Sequence, residues 1–248
     1  MRPGALKRAL VVVGCGVLTV TFSACESTQQ ESAKIGREAE KLGAGPAALK
    51  LGAVNHSVRV ASATLLNANG RMAVAVKLTA TSKNLQKDVP VLVNVTGAGG
   101  KVLYTNESGG VEASLQRMAL LHPGDGEWWV DDQVLTSQST SGVKVRVGTG
   151  STVRSNGSVP VLAAKAGHVS QQAGISVLSG ELVNHSNKAQ SKVPVFAAAV
   201  REGKVVAAGR AVVSELPGRS GAPAPFQIFL IGNPAGAKIE LTAVPTAV

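Results

Sequence analysis

Aromatic side chains are nearly missing from this chain: two Trp, one Tyr and four Phe among 248 residues. A core must therefore be assembled from Val, Leu, Ile and Ala. With 28 Gly and 11 Pro, Val-rich runs favour strands and turns over helices. Cysteine is as scarce. Cys15 and Cys25 are the whole supply, too few for a disulfide framework, so the folded part depends on packing alone. Acidic residues are outnumbered, 15 against 25 basic. The excess is spread, with no block of five or six like charges, and reads first as an aid to solubility. It also suits contact with lipid headgroups or an anionic envelope polymer.

The signatures of common chemistries are missing too. There is no Gly-x-Ser-x-Gly elbow for a nucleophilic serine, and no GxGxxG or GxxxxGK[ST] loop for phosphate. His56, His122, His168 and His185 stand singly, without the HxH or HxxxH spacing of a zinc site. No D-x-D-x-D-G loop offers oxygen ligands to calcium. Few aromatics and no basic helix argue against nucleic acid. These absences lead us to expect no catalysis, no metal and no cofactor.

What the chain does have begins with a leader. Met1–Arg8 is short and basic, Ala9–Phe22 is a 14-residue apolar run, and Ser23-Ala24-Cys25 follows. A basic segment, an apolar segment and small residues before a cut describe a secretory signal peptide. The run falls short of the roughly 20 residues that span a bilayer. It resembles a bacterial lipoprotein signal over residues 1–24. That resemblance implies acylation of Cys25, which becomes the mature N-terminus and holds the protein on the extracytoplasmic face of the cell membrane. Val12-Val13-Gly14-Cys15 is a rival match, but it leaves about four apolar residues before the cut, below the usual 7–15. Residues 25–51 then read as a spacer. Ile35, Ala39 and Leu42 recur at helical spacing until Gly43, Gly45 and Pro46 stop them, so a short, partly helical tether is expected.

Beyond the spacer the chain repeats itself. Lys83–Tyr104 reads KNLQKDVPVLVNVTGAGGKVLY and Asn187–Ala207 reads NKAQSKVPVFAAAVREGKVVA. Val89-Pro90 precedes Val193-Pro194 by 104 residues, whereas Gly100-Lys101-Val102 precedes Gly203-Lys204-Val205 by 103, so one residue is lost in the turn. Short alternating stretches surround both copies, and Asn67-Ala68-Asn69-Gly70 has hairpin chemistry. Strands at 8–12-residue spacing argue for a β-sandwich. Residues 52–147 and 159–248 are thus expected to be two tandem Ig-like antiparallel sandwiches, with the Gly/Ser-rich stretch 148–158 as linker. Phe196, Ala198 and Val200 alternate with Val195, Ala197 and Ala199. Both faces of this strand are apolar, so it should lie deeper than its counterpart.

The order of polar turn, Val-Pro-Val strand, Gly-Lys-Val return, Leu-x-Pro-Gly turn and aromatic-x-aliphatic strand resembles the FxLYD-type Ig-like domains of bacterial lipoproteins. The resemblance implies the sandwich fold and says nothing of chemistry.

One acidic cluster, Asp125, Glu127, Asp131 and Asp132, flanks the only tryptophans, Trp128 and Trp129. Strand alternation sends the two indoles to opposite faces. If Trp128 and Val130 point inward, as Phe226 and Ile228 would in the second copy, Trp129 points out. It could then stack on a sugar or dock a partner beside Asp131 and Asp132. Alternatively a loop or the other repeat covers it, and the acids are solvated strand-end charges. The expectation is a lipid-anchored, non-catalytic binding or structural module of the cell envelope, with an envelope protein or anionic wall polymer as partner. The alternatives are a wall-acting enzyme or its accessory subunit, and a stabiliser of a secretion or adhesion assembly.

Overall fold

The computed structural model describes residues 47–124, 126–153, 159–219 and 222–246. The leader, Cys25 and the stretch of the spacer expected to be helical lie outside the described residues. Ala44–Val248 is one compact unit. Among the described residues it is all β, with two short 3-10 turns and no α-helix.

The first repeat opens with β1 (Val58–Ala68) and β2 (Arg71–Ala80), and β6 (Glu127–Val134) pairs on the far side of β2. Between β1 and β2, Asn69 and Gly70 both have positive φ, 51° and 73°, as a tight hairpin turn requires. The opposing sheet is built on β3 (Leu85–Gly97). Its first half is flanked by β5 (Arg117–Leu121) and β8 (Ser151–Val153), its second half by β4 (Val102–Thr105) and β7 (Thr140–Val147). All these pairings are antiparallel. With β4 and β5 counted as one strand, the first, second and fifth strands share one sheet and the third and sixth the other, the pairing of an Ig sandwich.

The second repeat reproduces this scheme. β9 (Leu162–Gln172), β10 (Ile175–Asn184) and β13 (Ala224–Gly232) match β1, β2 and β6. β11 (Gln190–Arg201) lies between β12 (Lys204–Leu216) and β14 (Lys238–Ala243). β12 does alone what β4 and β5 do together. β12 and β13 also pair at Ala207–Gly232 and Ala208–Ile231, which joins the second repeat into one six-stranded sheet that covers its own core.

The backbone records the duplication more faithfully than the side chains. Asn69 and Ala173, Gly70 and Gly174, and Asp88 and Lys192 are pairs 104 residues apart, each with positive φ; Gly99 and Glu202, Gly100 and Gly203 follow at 103. The slip falls in the β3–β4 turn, where the sequence puts it. Ala, Lys and Glu tolerate that region poorly, so the geometry is inherited rather than chosen by the local residue. The prolines match as well. Pro90 O accepts from Gly148 N and Pro194 O from Val244 N. Both prolines lie inside their strands, not at the starts, because β3 and β11 begin earlier, at Leu85 and Gln190.

Two boundaries differ from the sequence reading. Ser151–Val153, expected in the linker, pairs with Leu85–Lys87 of β3, because β7 pairs only with residues 91–97 and leaves the first half of that edge of β3 open. The end of the expected spacer is also part of the fold. Leu49 and Leu51 bury themselves on Leu92, and Leu49 N donates to Glu107 O. Gly148 makes room for this strap, since a Cβ there would run into the Leu51 carbonyl.

The repeats are not separate beads. Val193, Val195, Ala197 and Ala199 of β11 pack in the second repeat's own core. Phe196 and Ala198, on the opposite face, join Ala208, Ile231 and Val244 in a cluster continuous with Val76, Trp128 and Val130 of the first repeat. This is the physical basis of the doubly apolar strand read from the sequence.

Candidate functional site between the repeats

β6 sets the site. Val76 pairs with Trp129 and Lys77 with Trp128. Val76 belongs to the interior face of β2 and Lys77 to its outer face, so Trp129 points into the first sandwich. It is fully buried, and its Nε1 donates to Ser114 O at 2.9 Å. The expected outward Trp129 is therefore corrected. The fault lay in matching Trp128 to Phe226: Gly180, 104 residues after Val76, pairs with Phe226, so Phe226 corresponds to Trp129. Trp128 takes the outer face, and the second repeat covers it.

The acids are corrected likewise. Neither Asp131 nor Asp132 is a solvated strand-end charge. Asp131 lies opposite Val74, in the place that the second repeat fills with Ile228 opposite Leu178. It is fully buried, and its carboxylate accepts from Tyr104 Oη at 2.6 Å and Gln133 N at 3.0 Å. Burial pushes it up to about 6 against the pull of those two hydrogen bonds. The same burial, with the neighbouring Asp131 charge, raises the Tyr104 phenol well above its ordinary value.

Asp132 faces the second repeat. Arg210 of β12 reaches it at 3.4 Å through Nε, and through one terminal nitrogen donates to Glu112 at 2.9 Å and Ser114 Oγ at 2.6 Å. Desolvation raises Asp132, and Arg210 works against that rise. Glu112 and Ser114 lie in the segment between β4 and β5, where β12 runs unbroken. The insertion in the first repeat is thus a clamp on an arginine of the second.

A second polar contact sits further along. Glu240 of β14 accepts from Trp128 Nε1 at 2.8 Å and pairs with Lys77 at 3.3 Å, while Lys77 Nζ lies 5.1 Å from the indole centroid. Trp128 N donates to Thr242 Oγ1 at 2.9 Å. The hydrogen bond from Trp128, then Lys77, holds Glu240 below its ordinary carboxylate value. Ser62, Thr64, Lys204, Lys77, Trp128 and Glu240 line an open groove of about 560 Å³ along the seam.

Two other groupings look chemical. Ser179 Oγ lies 3.1 Å from His168 Nδ1 in a shallow groove of about 370 Å³ beside Lys165 and Glu181. His168 is exposed and Ser179 half-buried, and no carboxylate among the described residues orients the ring, so the activated nucleophile of a triad is not assembled. His122 Nδ1 sits 2.7 Å from Glu127 Oε1, and that hydrogen bond raises the histidine. It borders a cleft of about 480 Å³ near Val161 and Leu241. Among the described residues no three His, Cys, Asp or Glu side chains gather as metal ligands, and no helix is long and apolar enough to cross a membrane.

Arg210, Glu240, Lys77 and Glu112 were not legible as site residues. Each is a single charge on a strand or loop, and only the docking of the repeats brings them together. No protein-family model matches the chain, and no curated protein is similar to it.

Proposed function

We propose that this chain is a lipid-anchored, non-catalytic binding or structural module on the extracytoplasmic face of a bacterial cell membrane, related to the FxLYD-type domains. The reading is carried by one observation: charged side chains at the seam, the largely buried Arg210 and Asp132 among them, are spent on joining the repeats. Asp132, Arg210 and Glu112 form one clamp, and Lys77, Trp128 and Glu240 another. Such a body holds a fixed surface at the end of a tether. The lipid on Cys25 sets its location, residues 26–46 set its reach, and the exposed sheet faces make the contact with an envelope protein or an anionic wall polymer.

The anchor is tested by mass measurement of the mature protein and by detergent phase partition. Expected is a diacyl or triacyl mass on Cys25, with Cys25→Ser releasing the protein to the aqueous phase. An unmodified N-terminus elsewhere sinks the anchor. Polymer contact is tested by sedimentation with purified wall fractions over a salt series. Binding that weakens with salt supports an electrostatic contact, and no binding at low salt removes the polymer as partner.

A further inference from the structure

The seam joins unlike faces. The first repeat contributes the outer face of β1, β2 and β6, the second the outer face of β11, β12 and β14. Since the repeats are equivalent, each also carries a version of the face its neighbour uses. An interface of this head-to-tail kind does not close on itself. Apart from Ile231 at the end of β13, which the seam takes up, it leaves the outer face of β9, β10 and β13 unmated, and the outer face of β3, β4 and β7 covered at Leu92 by the strap.

Backbone pairing fixes the equivalent positions. Lys77 stands opposite Trp128, as Glu181 stands opposite Pro225. Glu240 stands opposite Ala198, as Lys144 stands opposite Asn94. The Lys77–Glu240 contact of the seam, 3.3 Å long, thus has counterparts on the two outward faces with the signs exchanged: Glu181 and Lys144, both exposed. The next contact is matched too. Trp128 N donates to Thr242 in the seam. The corresponding positions hold Pro225, which has no N–H, and Arg146, which accepts nothing, so no donor is set against a donor.

We infer that a second copy of this chain docks head to tail on the first, with Glu181 of one copy against Lys144 of the next. The contact differs from the seam in strength. Phe196, Ala198 and Ala208 of the seam correspond to Leu92, Asn94 and Thr105, and Leu92 is already covered. Little apolar surface remains, and Lys165, paired across from Glu181, opposes the approach of Lys101 at the position of Lys204. The association rests on charge, so it is weak and salt-sensitive. It does not depend on the lipid anchor.

The test is sedimentation velocity of the full chain in mild detergent, at low and at high salt. Expected is concentration-dependent association at low salt that disappears at high salt. Lys144→Glu and Glu181→Lys each set like charges on the two faces and sediment as monomers. An equimolar mixture of the two variants, and the double variant, regain association. Lys165→Glu strengthens it. Circular dichroism confirms folding, since every site is exposed. A wild-type chain that stays monomeric at low salt overturns the inference. So do single variants that associate as the wild type does, or a mixture that fails to restore what each variant lost.

Discussion

Tyr104 Oη lies 2.6 Å from Asp131 Oδ2, at two places that the second repeat fills with Ala207 and Ile228. One sandwich thus holds a half-buried phenol on a fully buried carboxylate where its twin holds plain apolar packing.

This pair predicts a pH dependence with a definite sign. Asp131 titrates near 6 in the fold and near 3.9 in an unfolded chain. A raised carboxylate gives stability that is complete below about 3.9 and lost as pH climbs through about 6. Asp131→Asn removes this titration. The stability of Asp131→Asn relative to the wild type should therefore rise by about 3 kcal/mol between pH 3.5 and 7.5. Urea unfolding at several pH values measures it. Parallel curves for the two proteins would mean that the carboxylate is not buried in solution.

Arg210 should matter more than an ordinary surface charge. Its side chain is almost wholly buried, against Asp132 and the half-exposed Glu112. Arg210→Met leaves Asp132 desolvated without its cation, and a loss of about 3–5 kcal/mol is expected. The double change Arg210→Met with Asp132→Leu should recover most of it, because the stranded charge goes too. A double change as damaging as the single one would show that the aliphatic stem of Arg210, not its charge, is what counts.

Phe196 packs across the seam while its neighbours Val195 and Ala197 pack in the second repeat. Phe196→Ala should cost about 3–5 kcal/mol. Calorimetry of the wild type should give one cooperative transition, because the two cores share β11. Two resolved transitions in the wild type would show that the repeats melt independently.

The turn Ala173-Gly174 offers a stabilising change. Ala173 is held at φ 49°, a region costing an L-residue about 1–2 kcal/mol. Ala173→Gly should raise stability by up to about 1 kcal/mol, part of the relief being offset by chain entropy. Gly174→Ala should lower it by a similar amount, for conformational reasons alone, since an added Cβ at Gly174 meets no atom within 4 Å. The urea midpoint should move in both, at constant slope.

The site was less legible than the fold. Alternation told that Trp128 and Trp129 part ways, but not which one enters the sandwich. Aligning the repeats by their apolar character matched Trp128 with Phe226; only the ladder partners Val76 and Gly180 show that Trp129 is the counterpart. An Asp in an Ile position looked like a surface charge for the same reason. Its phenol partner lies 27 residues away on another strand, and a local pattern carries no trace of it.

The chain alone determined the strand rhythm, the tandem copy with its one-residue slip, and the depth of the strand around Phe196. Side-chain period, turn chemistry and apolarity act over a few residues and can be read there. Only the tertiary structure decided that the repeats fuse, that Leu49 and Leu51 strap the first, and that Arg210 and Glu240 become bridges. Those outcomes depend on which face of one sheet is brought against another, and such a juxtaposition is a property of distant segments together.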